Sequence, residues 1–143
     1  MAYLAPTQEL GRRFVMRGLT GTVIMLNLIR LRTVADYSDF PDLVPESPIS
    51  GRAAYDLYIE HTLPYLQKSG GRLDFLAEGG SWLIGPEDER WDLALLVRQK
   101  DMETFFGFEQ DPDYMKILGH RTAAVEDSRL LPLAELPTSA NYG

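Results

Sequence analysis

The 143-residue sequence predicts an α+β fold in which a four-stranded antiparallel sheet carries its helices on one face. Three observations lead to it. Strand and helix periodicities follow one another in the order strand, helix, strand, strand, helix, strand. That order is the split β-α-β arrangement of ferredoxin-like folds, βαββαβ, with spatial strand order 4-1-3-2. The burial pattern agrees independently: the strands this order makes central are apolar on both faces, and those it puts at the edges are more polar.

A helix over 6–17 opens at Pro6-Thr7 and places Leu10 and Phe14 on one face, as an N-terminal arm spanning 1–20. The core, 21–132, starts with a strand over 22–31, TVIMLNLIRL, apolar on both sides. The connection 32–49 holds Pro41, Pro45 and Pro48 among four acids, and reads as a surface excursion pinned by Tyr37 and Phe40. Ser50 caps a helix over 51–69 that Gly70-Gly71 terminates, and Pro64 removes the bond its amide would make to Glu60.

The second strand starts at Arg72 with Leu73, Phe75 and Ala77 on one face, and Gly79-Gly80 breaks it. Residues 91–97 form the third. Asp101 caps a helix that buries Met102, Phe105 and Phe106, and Asp111-Pro112 starts another through Leu118, which Gly119 weakens. Residues 125–131 form the last strand, and 133–143 is an extended tail.

The composition bounds function. A net charge of −7 with no basic patch argues against nucleic acid as a partner. The absence of cysteine excludes disulfides, thiolate metal sites and a cysteine nucleophile. Arg12-Arg13 before an apolar run looks like a twin-arginine signal, but Asn27 and Arg30 interrupt that run, which reads as a strand. No stretch is long and apolar enough to span a membrane, so no membrane association and a cytoplasmic location are expected. His61 and His120 are 59 positions apart without nearby ligands, so neither a metal nor a cofactor is expected, although haem ligation by either histidine stays open.

Two helices on one side leave the other sheet face uncovered. Leaving about six apolar side chains wet at roughly 2 kcal/mol each would forgo about 12 kcal/mol, as much as the stability of a whole domain. A second copy of the chain is the economical cover, so a homodimer with facing sheets and a partly hollow interior is expected.

The runs TVIMLNLIRL, ADYSDFP, SGRAAYDLYIEHTLPYL, GGRLDF, IGPEDERWDLALLVRQ and DPDYMKILGHRTAAVEDSRLL together resemble a bacterial family of unknown function, number thirteen-thirty in the domain-of-unknown-function series, over about residues 10–132. The resemblance implies a ferredoxin-like dimeric α+β barrel. It carries no agreed catalytic residues, and its superfamily spans monooxygenases, haem-handling enzymes, isomerases and ligand sensors, so fold alone does not name a reaction.

The densest polar chemistry is at 120–129. His120 is a candidate acid or base, Asp127 a candidate to orient it, and Arg121 a two-point grip for an anion. Against this stands a plain ion pair from Arg121 to Asp127 or Glu126, with His120 capping helix carbonyls. Asn27 in an apolar strand needs a partner, in a ligand or in the backbone. Arg30 is either a ligand contact or the partner of an acid in the following loop. Tyr55 and Tyr58, with His61 close by, form either pocket walls or plain core. Two functions follow: a cofactor-independent enzyme on a small organic carboxylate or aromatic compound, or a non-catalytic dimeric module binding a small ligand or a protein.

Overall fold

The computed structural model describes residues 2–137. In chain order the elements are α1 (Gln8–Met16), β1 (Val23–Leu31), a 3-10 turn (Pro41–Leu43), α2 (Gly51–Lys68), β2 (Arg72–Ser81), β3 (Arg90–Gln99), α3 (Met102–Glu109), α4 (Pro112–Ala124) and β4 (Val125–Ala134). The four strands form one antiparallel sheet in the order β2-β3-β1-β4, the predicted ferredoxin-like arrangement.

Local chemistry starts each helix where expected. Thr7 accepts from the Leu10 amide, Ser50 from Ala53, Asp101 from Thr104 and Asp111 from Asp113, and each satisfies an amide that has no partner inside its helix. α2 continues past Pro64 as one helix.

The sheet register separates two faces. Val23, Met25, Asn27 and Ile29 of β1 share one face with Leu93, Leu95, Val97 and Gln99 of β3. Around Ile29, Leu93 and Leu95, α2 and α4 close the core with Ala54, Tyr55, Ala123 and Ala124. The opposite face presents Ile24, Leu26 and Leu28, flanked by Leu96, Ala94, Leu131 and Leu133.

Four expectations need correction. β2 runs unbroken through Gly79 and Gly80; a Cβ at Gly79 would strike the Trp91 carbonyl oxygen, so the glycine permits close approach of β3 instead of ending the strand. A bulge between Leu73 and Phe75 puts Phe75 and Ala77 opposite Leu96 and Ala94, so they do not share the helix-side face with Leu73. The third is at Gly119, which lies inside α4. A Cβ there would sit 2.6 Å from Leu43 and 2.7 Å from Phe40, so the missing side chain lets the 32–50 connection pack on the helix. The last strand also passes Leu131, because Leu133 and Ala134 pair with Ile24 and Val23. Residues 138–143 of the expected tail lie outside the described residues.

Candidate functional site

The helix-side face of the sheet is only half covered by α2 and α4. Around Met25, Asn27, Val97 and Gln99, residues of α1 and α3 join those of α2 and α4 in lining a cavity of about 990 Å3. That is within the range of small-molecule sites. Phe14 of α1 sets the roof by packing its ring against Phe105 (6.0 Å) and Phe106 (5.7 Å).

The arm is tied down along its length. The Asp127 carboxylate accepts the Tyr3 amide at 2.8 Å, Ser128 bonds the Tyr3 carbonyl, Arg121 donates to the Leu4 carbonyl at 2.9 Å, and Arg17 donates to the Pro132 carbonyl at 2.7 Å. The cavity is therefore inside one protomer, on the helix side. The sequence reading had put the ligand space between two facing sheets. The physical reason for the difference is that the N-terminal arm, anchored to α4 and β4, encloses space on the helix side.

Four predicted ligand residues line this space: Asn27 from β1, Tyr55 and Tyr58 from α2, and Arg121 from α4. Asn27 also donates to its own strand's Met25 carbonyl at 3.2 Å. The Tyr58 and Tyr114 hydroxyls share a 2.8 Å hydrogen bond, and burial drives both phenols, and that of Tyr55, above the usual range. Arg121 spends one donor on Leu4 and another on Ser128 (3.2 Å), leaving other N–H groups of its guanidinium for an anion.

His120 and Asp127 do not meet. His120 is buried, with Nδ1 2.8 Å from the Tyr37 hydroxyl and its ring stacked 5.8 Å from His61, and burial together with His61 lowers its affinity for a proton. Asp127 is held by the Tyr3 and Ser128 amides, by Arg129 at 2.7 Å and by Arg30 at 3.7 Å. Burial works to raise this carboxyl, but those amides and Arg129 outweigh it and keep the group ionised to lower pH than usual. Arg30 pairs with an acid of β4, not of the loop that follows it, and donates to the Arg90 carbonyl. Neither His120, Asp127, Arg30 nor His61 lines the cavity.

Sequence reasoning did not single out Gln99, Glu109, Thr62 or Tyr114 as site residues. Gln99 is 1% exposed and Thr62 8% exposed, both line the cavity, and neither Gln99 Oε1 nor Thr62 Oγ1 has a hydrogen-bond partner among the described residues. A buried acceptor without a partner carries a desolvation penalty, so these oxygens point to a polar guest or to water in the cavity. The signal was available: Gln99 is in phase with Leu95 and Val97 on an otherwise apolar strand face.

Glu109 faces the same space, and burial raises its carboxyl, with Arg121 partly offsetting it. Because the folded state disfavours the charged form, its penalty is present at neutral pH and vanishes well below the ordinary value of 4.5, where the group is protonated folded or unfolded. Replacing Glu109 with Gln is therefore expected to raise the melting temperature at pH 7 but not near pH 4. An equal shift at both pH values in thermal denaturation would contradict this assignment.

Fold and cavity together define a class: a ferredoxin-like α+β protein with a ligand-sized, mostly apolar chamber between its helices and its sheet. No protein-family model matches the chain, and no curated protein matches it. Among solved structures it is similar to the RPA0582 protein of unknown function from Rhodopseudomonas palustris, with 33% identity, a TM-score of 0.84, and coverage of 96% of this chain and 100% of that one. The methylated RPA0582 protein gives 34% identity and a TM-score of 0.83 over 95% of this chain and 96% of that one. The chain belongs to the family of RPA0582. No helix among the described residues is long and apolar enough to cross a membrane.

Proposed function

We propose that this protein is a homodimeric binding module for a small, largely apolar organic molecule that carries an anionic or polar head group. One observation carries the reading: a chamber of about 990 Å3 holds, amid aromatic and aliphatic walls, an arginine with donors to spare and two buried oxygens without partners among the described residues. An aryl or alkyl tail would lie against Met25, Leu95 and the phenylalanines of α3. A carboxylate would take the spare N–H groups of Arg121, and donors on the guest would satisfy Gln99 and Thr62.

The module reading is favoured over the enzymatic one. Proton exchange by His120 oriented by Asp127 needs the two side chains to converge on the ligand, and their hydrogen bonds are made elsewhere. The dimer is supported by the uncovered sheet face, where Leu131 is 54% and Phe75 55% exposed beside Ile24, Leu26 and Leu28. Membership of the thirteen-thirty family rests on the runs quoted above.

Titration with 4-phenylbutyrate followed by NMR tests the binding. The expected result is one site per chain, with nuclear Overhauser contacts from the phenyl protons to the Met25 methyl and to Tyr58. No binding at millimolar ligand, or contacts confined to the sheet's outer face, would overturn it.

A further inference from the structure

A carboxylate held by Arg121 leaves one polar feature of the chamber unused: two phenol hydroxyls that bond each other. Tyr58 comes from α2 and Tyr114 from α4, both line the chamber, and their oxygens are 2.8 Å apart. Neighbouring rings hold them in place. Tyr58 packs on Tyr55 with centroids 5.4 Å apart, and Tyr114 lies against Phe108 of α3 at 4.3 Å.

Two hydroxyls carry two protons, and their mutual bond uses one, whichever oxygen donates. The other proton has no acceptor among the described residues, and Thr62 Oγ1, one turn further along α2, is itself without a partner. Burial is the largest influence on both phenols and keeps them protonated far above neutral pH. The pair is therefore a standing neutral donor, and a buried donor without an acceptor costs free energy. It calls for an oxygen that accepts and brings no proton of its own.

Arg121 is seven residues beyond Tyr114 on α4, two turns along one face, which puts the two Cα atoms about 10 Å apart at about 1.5 Å per residue. Its charge bears on both phenols. A molecule whose carboxylate sits on Arg121 therefore has a second polar position a few bonds along its chain.

We infer that the Tyr58–Tyr114 pair is a second anchor for the guest, donating its remaining proton to a ketone oxygen, so that the ligand class is an oxo acid with its carboxylate on Arg121 and its carbonyl on the phenols. This rests on the binding reading above and narrows it. A ketone accepts without donating, as the pair requires. A second carboxylate would sit beside Glu109, whose charge bears on the same two phenols.

Calorimetric titration of the full-length protein compares 4-oxo-4-phenylbutyrate, and its homologues with one and two further methylenes, with the same acids lacking the oxo group. In a chamber without a donor at that place the oxo group weakens binding, because a ketone leaves its hydrogen bonds to water behind. The expected result has the opposite sign: at least one oxo acid binds about fivefold tighter than its parent, as one added hydrogen bond allows. Tyr58→Phe together with Tyr114→Phe should abolish that preference. A readout on the unaltered protein needs no variant to fold. The carbonyl resonance of the bound oxo acid, labelled with carbon-13, should stay at or move downfield of its position in water, whereas an unbonded ketone in an apolar space moves upfield. Oxo acids no tighter than their parents, an upfield carbonyl, or a preference that survives the loss of both hydroxyls would overturn the anchor and leave the Arg121 site standing; binding of neither series overturns both.

Discussion

Gly51→Ala should lower the stability of the protein by about 3 kcal/mol or more, although the same exchange inside an ordinary helix would raise it by about 1 kcal/mol. Gly51 is buried at the first turn of α2, where the helix start passes between two other backbone segments. A Cβ there would strike the Arg32 carbonyl oxygen and lie 2.9 Å from the Ala124 carbonyl oxygen. Neither can retreat, because the Arg32 amide bonds that same Ala124 carbonyl at 2.8 Å, tying the end of β1 to the end of α4. A flexible side chain could rotate away; two hydrogen-bonded backbones cannot. Urea denaturation decides it by sign, and a variant at least as stable as wild type would show that the crossing is looser than described.

Arg121→Met should cut affinity for 4-phenylbutyrate between ten- and a hundredfold, while affinity for the neutral 4-phenylbutan-1-ol changes by less than about threefold. A hydrogen bond to a charged group contributes roughly 1.5–3 kcal/mol, and methionine keeps the length while removing the charge. The alcohol separates the binding role from a structural one. Arg121 also holds the Leu4 carbonyl and Ser128 Oγ, so a loosened arm would weaken both ligands alike. Calorimetric titration of the two compounds gives the ratio. Equal losses would make Arg121 a strut for the arm and not a reader of the ligand.

Much of the sheet was legible because its constraints are local and periodic. Runs apolar on both faces at 22–31 and 91–97 identified the two central strands, and Ser50, Asp101 and Asp111 announced the helices they cap. Glycines misled, since the sequence does not distinguish a glycine that ends an element from one that admits a neighbour. Gly79 admits β3 and Gly119 admits Leu43 and Phe40. The bulge at Asp74 was equally unreadable: the Asp74 carboxylate bridges Arg72 and Arg98 across two strands, a pairing with no local signature.

For the site, Asn27 stood out as a polar group in an apolar strand, Arg121 through the polar cluster at 120–129, and Tyr55 and Tyr58 as tyrosines on one helix with His61 close by; all four line the cavity. The pairing of His120 with Asp127 was inferred from closeness in sequence. Position 120 lies on α4 and 127 on β4, which follows it directly, and the imidazole meets Tyr37 while the carboxylate meets Tyr3 and Arg129.

By itself the sequence determined the α+β class, the strand order and the helix starts, because side-chain periodicity and capping act over a few residues. Only the tertiary structure decided where the empty volume lies. That depends on how far α2, α3 and α4 extend across the sheet and on an N-terminal arm held by contacts more than a hundred residues away in the chain, such as Arg121 to Leu4 and Asp127 to Tyr3.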